Sequence, residues 1–406
     1  MPDVQTESFI QDVGTVRGQL RRWMIRILTI LLSAGVAGVG CGRPRTATDT
    51  MPTAPSVLRI ERVVDSVVPG MLAARMIPGA AVAVLSNDTL LLAKGYGTAN
   101  LESGAPVSAS TILQIGSTTK PFTAIVLLRL AEEGKVHFDS TARFYLPWLP
   151  PQYRDVTVLE LLNHTSGVRY DLRRENIDEF PLDEFRRRLA VSEAAFPHGT
   201  RWQYSNTGYT LLALIAEAVS GQSFDTLLRE RIFQLLGMST AAYRDSSAGP
   251  AHATGYDLVD GTLRRQPRVF SGWGNSGIEA SVIDIARWAS ALSRRELLRP
   301  ESYRLMYQPA ILRGGTSVDF EFSGARSSYG LGWFLTSYRA NRLVTHGGAI
   351  AGFSSVVHRF DTLTIVVLSN GKAGADRRGQ ADAIGTAIYD ALEPQVSPPV
   401  VPTPPP

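Results

Sequence analysis

The strand-like runs of this chain lie at the two ends of its body and the helical runs fill the middle, an order that strongly restricts the fold. Near the front, Ala80 to Leu85 and Leu90 to Ala93 flank Asn87-Asp88 and read as a hairpin, followed by Gly95-Tyr-Gly97. After residue 330 come four short β-rich runs, Leu331 to Thr336, Arg342 to Thr345, Phe353 to His358 and Leu363 to Leu368, separated by turn signals such as Ala340-Asn341 and Asp361. Separate sheets this small would each leave edges unpaired, so the economical solution is one sheet built from both ends. The expected class is α/β (α+β): a mixed antiparallel sheet flanked by helices, with a large helical insertion that shares a cleft with it.

The helical signals are local and specific. Val57 to Leu72 has apolar residues at helical spacing, and an apolar run beginning at Ile115 ends at Glu132-Glu133-Gly134 with glycine in the capping place. Thr157-Val-Leu-Glu160 is a capping-box pattern that leads into the loop His164-Thr-Ser-Gly167. Further helices are expected from about Gly208 to Val219, from Phe224 towards Gly237, from Ser281 through Trp288, and from Asp382 to Leu392.

The ends of the chain read differently. Ile27 to Gly40 is an apolar run behind several arginines, too short for a comfortable membrane span and suited to a signal-peptide core, so residues 1–41 are expected to be an export leader. Gly38-Val-Gly40 ahead of Cys41 resembles a bacterial lipoprotein cleavage site, with glycine where that pattern has leucine. Membrane attachment through a lipidated Cys41 and a soluble periplasmic product both stay open. Residues 42–55 read as a flexible linker, 56–393 as the folded domain, and 394–406 as a Pro-rich disordered tail. The formal charge is only +4, and arginines ahead of the body contribute to it, so no nucleic-acid partner is implied.

The candidate chemistry begins with one of four lysines among 41 basic residues. Lys120 follows Ser117 by three positions at a helix start, where side chains three apart share a face. Of the two basic residue types only lysine can lose its proton near ordinary pH and act as a base. Spacing alone is weak, since Ser369-Asn-Gly-Lys372 repeats it in a turn where no helix aligns the pair. Two other short boxes support Lys120: Tyr204-Ser-Asn206, ahead of a helix, and His346-Gly347-Gly348, placed between two strands.

The three boxes in this order resemble those of the serine β-lactamase and penicillin-binding-protein superfamily, in the class C-like branch with tyrosine in the second box. Leu161-Leu-Asn-His-Thr-Ser-Gly-Val168, Asn275-Ser-Gly-Ile-Glu-Ala-Ser281, Tyr329-Gly-Leu-Gly-Trp333 and Val366-Val-Leu-Ser-Asn370 look like further signatures of the same group. The resemblance implies an exported serine hydrolase that forms an acyl-enzyme at Ser117. It implies too that Lys120 and Tyr204 are the candidates for the base, with the choice between them open, and that the backbone amides of Ser117 and Ala349 receive the oxyanion. Asn206 is expected to order the Lys120 amine and to bind the substrate carbonyl group, or merely to cap its helix.

His346 stands where penicillin-hydrolysing members usually carry lysine, and a histidine is charged only part of the time near neutral pH. This favours the esterase and D-amino-acid peptidase members, with small-molecule ester, peptide or β-lactam substrates. A true β-lactamase, or a non-catalytic penicillin-binding or peptidoglycan-sensing protein, remains as an alternative. His164, His198, His252 and His358 are scattered with no ligand spacing, so neither metal nor cofactor is expected. Glu279 is the one acid to watch near the cleft, in the loop before a helix, and it reads first as a helix-start acid. The oligomeric state is not legible.

Overall fold

The computed structural model describes residues 56–172, 181–247, 249–270, 272–322, 324–373 and 379–393. The expected leader, the linker, Cys41 and the tail lie outside them.

The first helix, α1 (Val57–Arg75), starts at Ser56, whose side chain accepts the Arg59 amide, and buries Ile60, Val64, Val68 and Leu72 as one stripe. Strands β1 (Gly79–Ser86), β2 (Thr89–Asn100) and β3 (Ala105–Pro106) follow. The helical middle includes α2 (Thr119–Glu132), α3 (Asn206–Ser220) and α4 (Val282–Arg294). A six-strand meander closes the body: β4 (Phe320–Phe322), β5 (Ala325–Tyr329), β6 (Phe334–Tyr338), β7 (Asn341–Ile350), β8 (Phe353–Arg359) and β9 (Leu363–Ser369). Helix α5 (Gln380–Leu392) comes last.

The sheet order is β3-β2-β1-β9-β8-β7-β6-β5-β4, antiparallel at each junction. The first strand therefore pairs with the last, Val82 opposite Val367, which joins the two β-rich ends into one sheet as the sequence order requires. Every residue of β1 is buried because both faces of the sheet are covered. Ala80, Val82 and Val84 face α1 and α5, while Ala81, Ala83 and Leu85 face the helical middle. Each fully buried valine or leucine contributes ~1.5–3 kcal/mol. Under the middle, Trp288 of α4 stacks on Phe122 of α2 at 4.1 Å.

Three strand assignments are corrected. Leu331 to Trp333 is a turn, not a strand, because Gly332 at φ +80° brings the meander so close to α2 that a Cβ there would lie 3.0 Å from the Pro121 Cα. Two strands the pattern did not announce, β4 and β5, precede it. His346-Gly-Gly is not between strands but inside β7, with Gly347 opposite Val356 and Gly348 opposite Ser355. Among the described residues no single helix is long and apolar enough to cross a membrane.

Candidate active site

Ile115-Gly-Ser makes a sharp entry into α2. Gly116 sits at φ +51° and opens one 3₁₀ turn, Gly116–Thr118, which runs directly into α2 so that Ser117 and Lys120, three apart, share a face. That geometry puts the Lys120 Nζ 3.1 Å from the Ser117 Oγ. Lys120 is fully buried, a costly place for an ammonium unless it is hydrogen-bonded. It donates to the Asn206 Oδ1 at 2.8 Å and to the Asn275 carbonyl at 2.9 Å. Its Nζ lies 4.7 Å from the centre of the Tyr204 ring.

Asn206 is not the cap of its helix. Ser205 fills that place, its hydroxyl accepting the Gly208 amide at 3.0 Å, and this leaves the Asn206 side chain for Lys120. The Asn206 Nδ2 donates to Asp171 at 2.9 Å, so a substrate carbonyl would use the second N–H of the same amide.

Strand β7 reaches the Ser117 turn because two glycines allow it. A Cβ on Gly348 would fall 2.0 Å from the Ile115 carbonyl oxygen, and one on Gly116 would fall 3.1 Å from the Ala349 amide nitrogen. The contact is fastened from β8: the Ser355 hydroxyl donates to the Ile115 carbonyl at 2.7 Å and accepts from Thr118 at 2.7 Å. Ser117, Tyr204, His346, Gly347, Gly348 and Ala349 all line one cleft of about 380 Å³. A larger cleft of about 680 Å³ beside Arg294, Arg342 and Arg359 holds none of the predicted residues.

His346 departs from its expected partial charge. It is 1% exposed, and burial first, then the nearby Lys120 charge, push its pKa down to about 3, against a weaker opposing effect of the Gly347 carbonyl. The ring is thus neutral near pH 7. Its Nδ1 meets the Gly347 carbonyl at 2.8 Å, which can only accept, so Nδ1 carries the proton and Nε2 accepts from the Tyr329 hydroxyl at 3.2 Å.

Sequence reasoning undervalued His164. It is fully buried at φ +64°, 4.4 Å from the Tyr204 ring and 4.6 Å from the Tyr329 ring. Its Nδ1 accepts the Ser205 amide at 3.1 Å, so this histidine braces the second box from behind. Burial, then Lys120 and His346, hold its pKa well below the usual value. Asn275 and Ser355 were also missed as contacts. Conversely, Glu279 is a structural acid, 3% exposed and bound to Arg268 and to His252 at 3.2 Å. The second serine–lysine pair dissolves too: Ser369 is buried, and Lys372 is exposed on a short strand, Gly371–Ala373.

A sheet closed from both ends, with a serine and a buried lysine at the head of its first internal helix, defines a class of serine-centred acyl-transfer folds. The chain belongs to the beta-lactamase family, whose model matches residues 64–388. It is 27% identical over 322 residues to penicillin-binding protein 4* of Bacillus subtilis (strain 168), covering 70% of this chain and 68% of that one. It is 26% identical over 322 residues to protein flp of Staphylococcus aureus (strain COL), covering 76% of this chain but only 63% of flp. The structure of the octameric penicillin-binding protein homologue from Pyrococcus abyssi matches with a TM-score of 0.70 and 26% identity, over 81% of this chain and 76% of that one.

Proposed function

We propose that this chain is an exported serine hydrolase that forms an acyl-enzyme at Ser117 and acts on small esters or D-amino-acid peptides. The bonding of Lys120 carries the reading. The Asn206 amide oxygen and the Asn275 carbonyl can only accept, so two N–H bonds of Lys120 are fixed on them. A further N–H direction of Lys120 reaches the Ser117 Oγ at 3.1 Å. When Lys120 is charged that direction holds a proton; when it is neutral it holds a lone pair facing the serine O–H. One proton can therefore pass between Oγ and Nζ with no movement of heavy atoms.

In the first half-reaction the Ser117 Oγ bonds to the substrate carbonyl carbon while its proton goes to the Lys120–Tyr204 pair. The oxyanion is received by the Ser117 and Ala349 amides, and the proton returns to the departing alcohol or amine. Water then repeats the sequence on the acyl-enzyme. The Lys120 Nζ lies 4.7 Å from the centre of the Tyr204 ring, near enough for the two groups to act as a coupled base.

Neutral substrates suit the cleft. His346 offers no cation, and the charged residues among the described lining are acids, Glu321 and Asp382. This supports esters, and D-peptides cut away from a free carboxylate, over β-lactams, although the names of similar proteins speak of penicillin binding. Labelling with a fluorophosphonate followed by peptide mass spectrometry should place the adduct on Ser117, and Ser117→Ala should abolish ester and D-peptide turnover. Full activity in Ser117→Ala would end the proposal, and faster turnover of nitrocefin than of any ester would move it to the β-lactam reading.

A further inference from the structure

We infer that the site selects substrates whose leaving group carries a bulky apolar, preferably aromatic, substituent, held in a trough of aromatic rings that the short edge strand β4 completes. This rests on the acyl-enzyme reading above. The trough begins at Tyr204, which stacks parallel to Phe334 at 6.2 Å. Phe334 in turn stacks on Phe322 at 4.3 Å, and across the trough Phe320 stacks on Trp202 at 3.9 Å. All five rings line the same cleft as Ser117.

The register explains how they converge. Phe334 lies opposite Thr345, next to His346 on β7. Phe320 and Phe322 alternate with Glu321 on β4, so period 2 turns both rings to one face. β4 is the edge of the sheet, where a three-residue strand adds little to the core. The two phenylalanines are only half-buried and line the cleft. Large apolar rings left partly open around a cleft of about 380 Å³ are the lining expected of a small-molecule subsite.

The trough lies on the leaving-group side because it grows from Tyr204 and His346. Tyr204 belongs to the pair that returns the proton to the departing oxygen or nitrogen, so that atom and its substituent must sit against the Tyr204 end of the site. Aromatic substituents gain offset or edge-on contacts with such walls beyond their area alone.

The test is hydrolysis of two ester pairs by the full chain, followed by titration of released acid. Benzyl acetate and ethyl acetate differ only in the leaving group; ethyl phenylacetate and ethyl acetate differ only in the acyl group. Wild-type kcat/KM should favour benzyl over ethyl acetate by about 10- to 100-fold, and the Phe320→Ala/Phe322→Ala variant should lose about tenfold of that ratio. The phenylacetate ratio should not change in the variant. A benzyl ratio unaltered by the substitutions, or a loss confined to the acyl pair, overturns the inference. Fluorophosphonate labelling of Ser117 in the variant verifies that the site is still folded. Should wild-type protein hydrolyse neither ester nor D-peptide and leave Ser117 unlabelled, the hydrolase reading fails by itself. The trough is then judged by saturation-transfer NMR of benzyl alcohol with Ser117→Ala protein: weaker transfer after the two phenylalanine substitutions supports it, and equal transfer overturns it.

Discussion

The missing side chain of Gly348 is what lets β7 lie against the carbonyl of Ile115, two residues before Ser117; a Cβ would stand 2.0 Å from that oxygen. The obstacle is backbone, and rotamer changes cannot relieve it. Gly348→Ala should therefore push β7 away from Ser117 and lower kcat/KM by about a hundredfold or more, as expected when oxyanion donors are displaced. Gly347, whose Cβ would meet only the Ser355 carbonyl at 3.5 Å, should tolerate alanine with less than about a tenfold loss. Ester kinetics on the two variants would decide; equal effects would mean that close approach is not what the glycines provide.

Neighbouring residues of the second box should separate stability from chemistry. Ser205→Ala removes a helix cap and should cost about 1 kcal/mol in urea denaturation. Asn206→Ala removes an acceptor of Lys120 and a donor to the substrate carbonyl, and should lower kcat/KM by about a hundredfold or more. A reversal of these two outcomes would contradict the assignment of capping to Ser205.

The Ser355 hydroxyl joins β8 to the Ser117 turn. Ser355→Ala leaves the Ile115 carbonyl and the Thr118 hydroxyl without that partner in a buried place. A loss of about 1–3 kcal/mol is expected in equilibrium unfolding, together with a lower kcat from a looser Ser117. Unchanged stability would show that the turn holds itself.

Acid should weaken the fold through its buried histidines. His346 has a pKa of about 3 in the folded chain against 6.5 ordinarily, so between these values the unfolded chain binds more protons. Stability from this group is complete above 6.5 and declines as pH falls towards 3; His164 and His358, also lowered by burial, act in the same direction. Denaturation midpoints measured from pH 7.5 down to pH 4 should fall steadily, and less steeply in His346→Asn. The activity profile between pH 5 and 8 should keep its shape in that variant, even if its height drops. An inflection near 6.5 that disappears with His346 would refute the neutral-ring argument.

The parts legible in the sequence were those whose signal is local. Lys120, Ser117, Tyr204 and the His346 box each sit at a helix start, a loop end or a glycine pair, and the strand runs at both ends announced one sheet. What escaped was supplied from a distance. Asn275 serves Lys120 with a backbone carbonyl, which any residue type could offer, so no side-chain pattern marks it. Ser355 is one serine in a strand until β8 is laid beside Ile115. His164 looked isolated because its partners, Tyr204 and Tyr329, come from two other segments. β4 is too short to show a period, and its two phenylalanines acquire meaning only opposite Trp202 and Phe334.

The pairing of β1 with β9 also dictates when this protein can become itself. Until Leu363–Ser369 has been made, β1 has a bare, fully apolar edge towards the centre of the future sheet, a template for association with other chains. The contacts that complete the sheet span nearly the whole body, so their closure is slow compared with that of the helices between them. A chain truncated before Leu363 would retain the serine and the lysine yet present a sticky, unfinished strand, and the arrival of Leu363–Ser369 rather than synthesis of Ser117 marks the birth of the site.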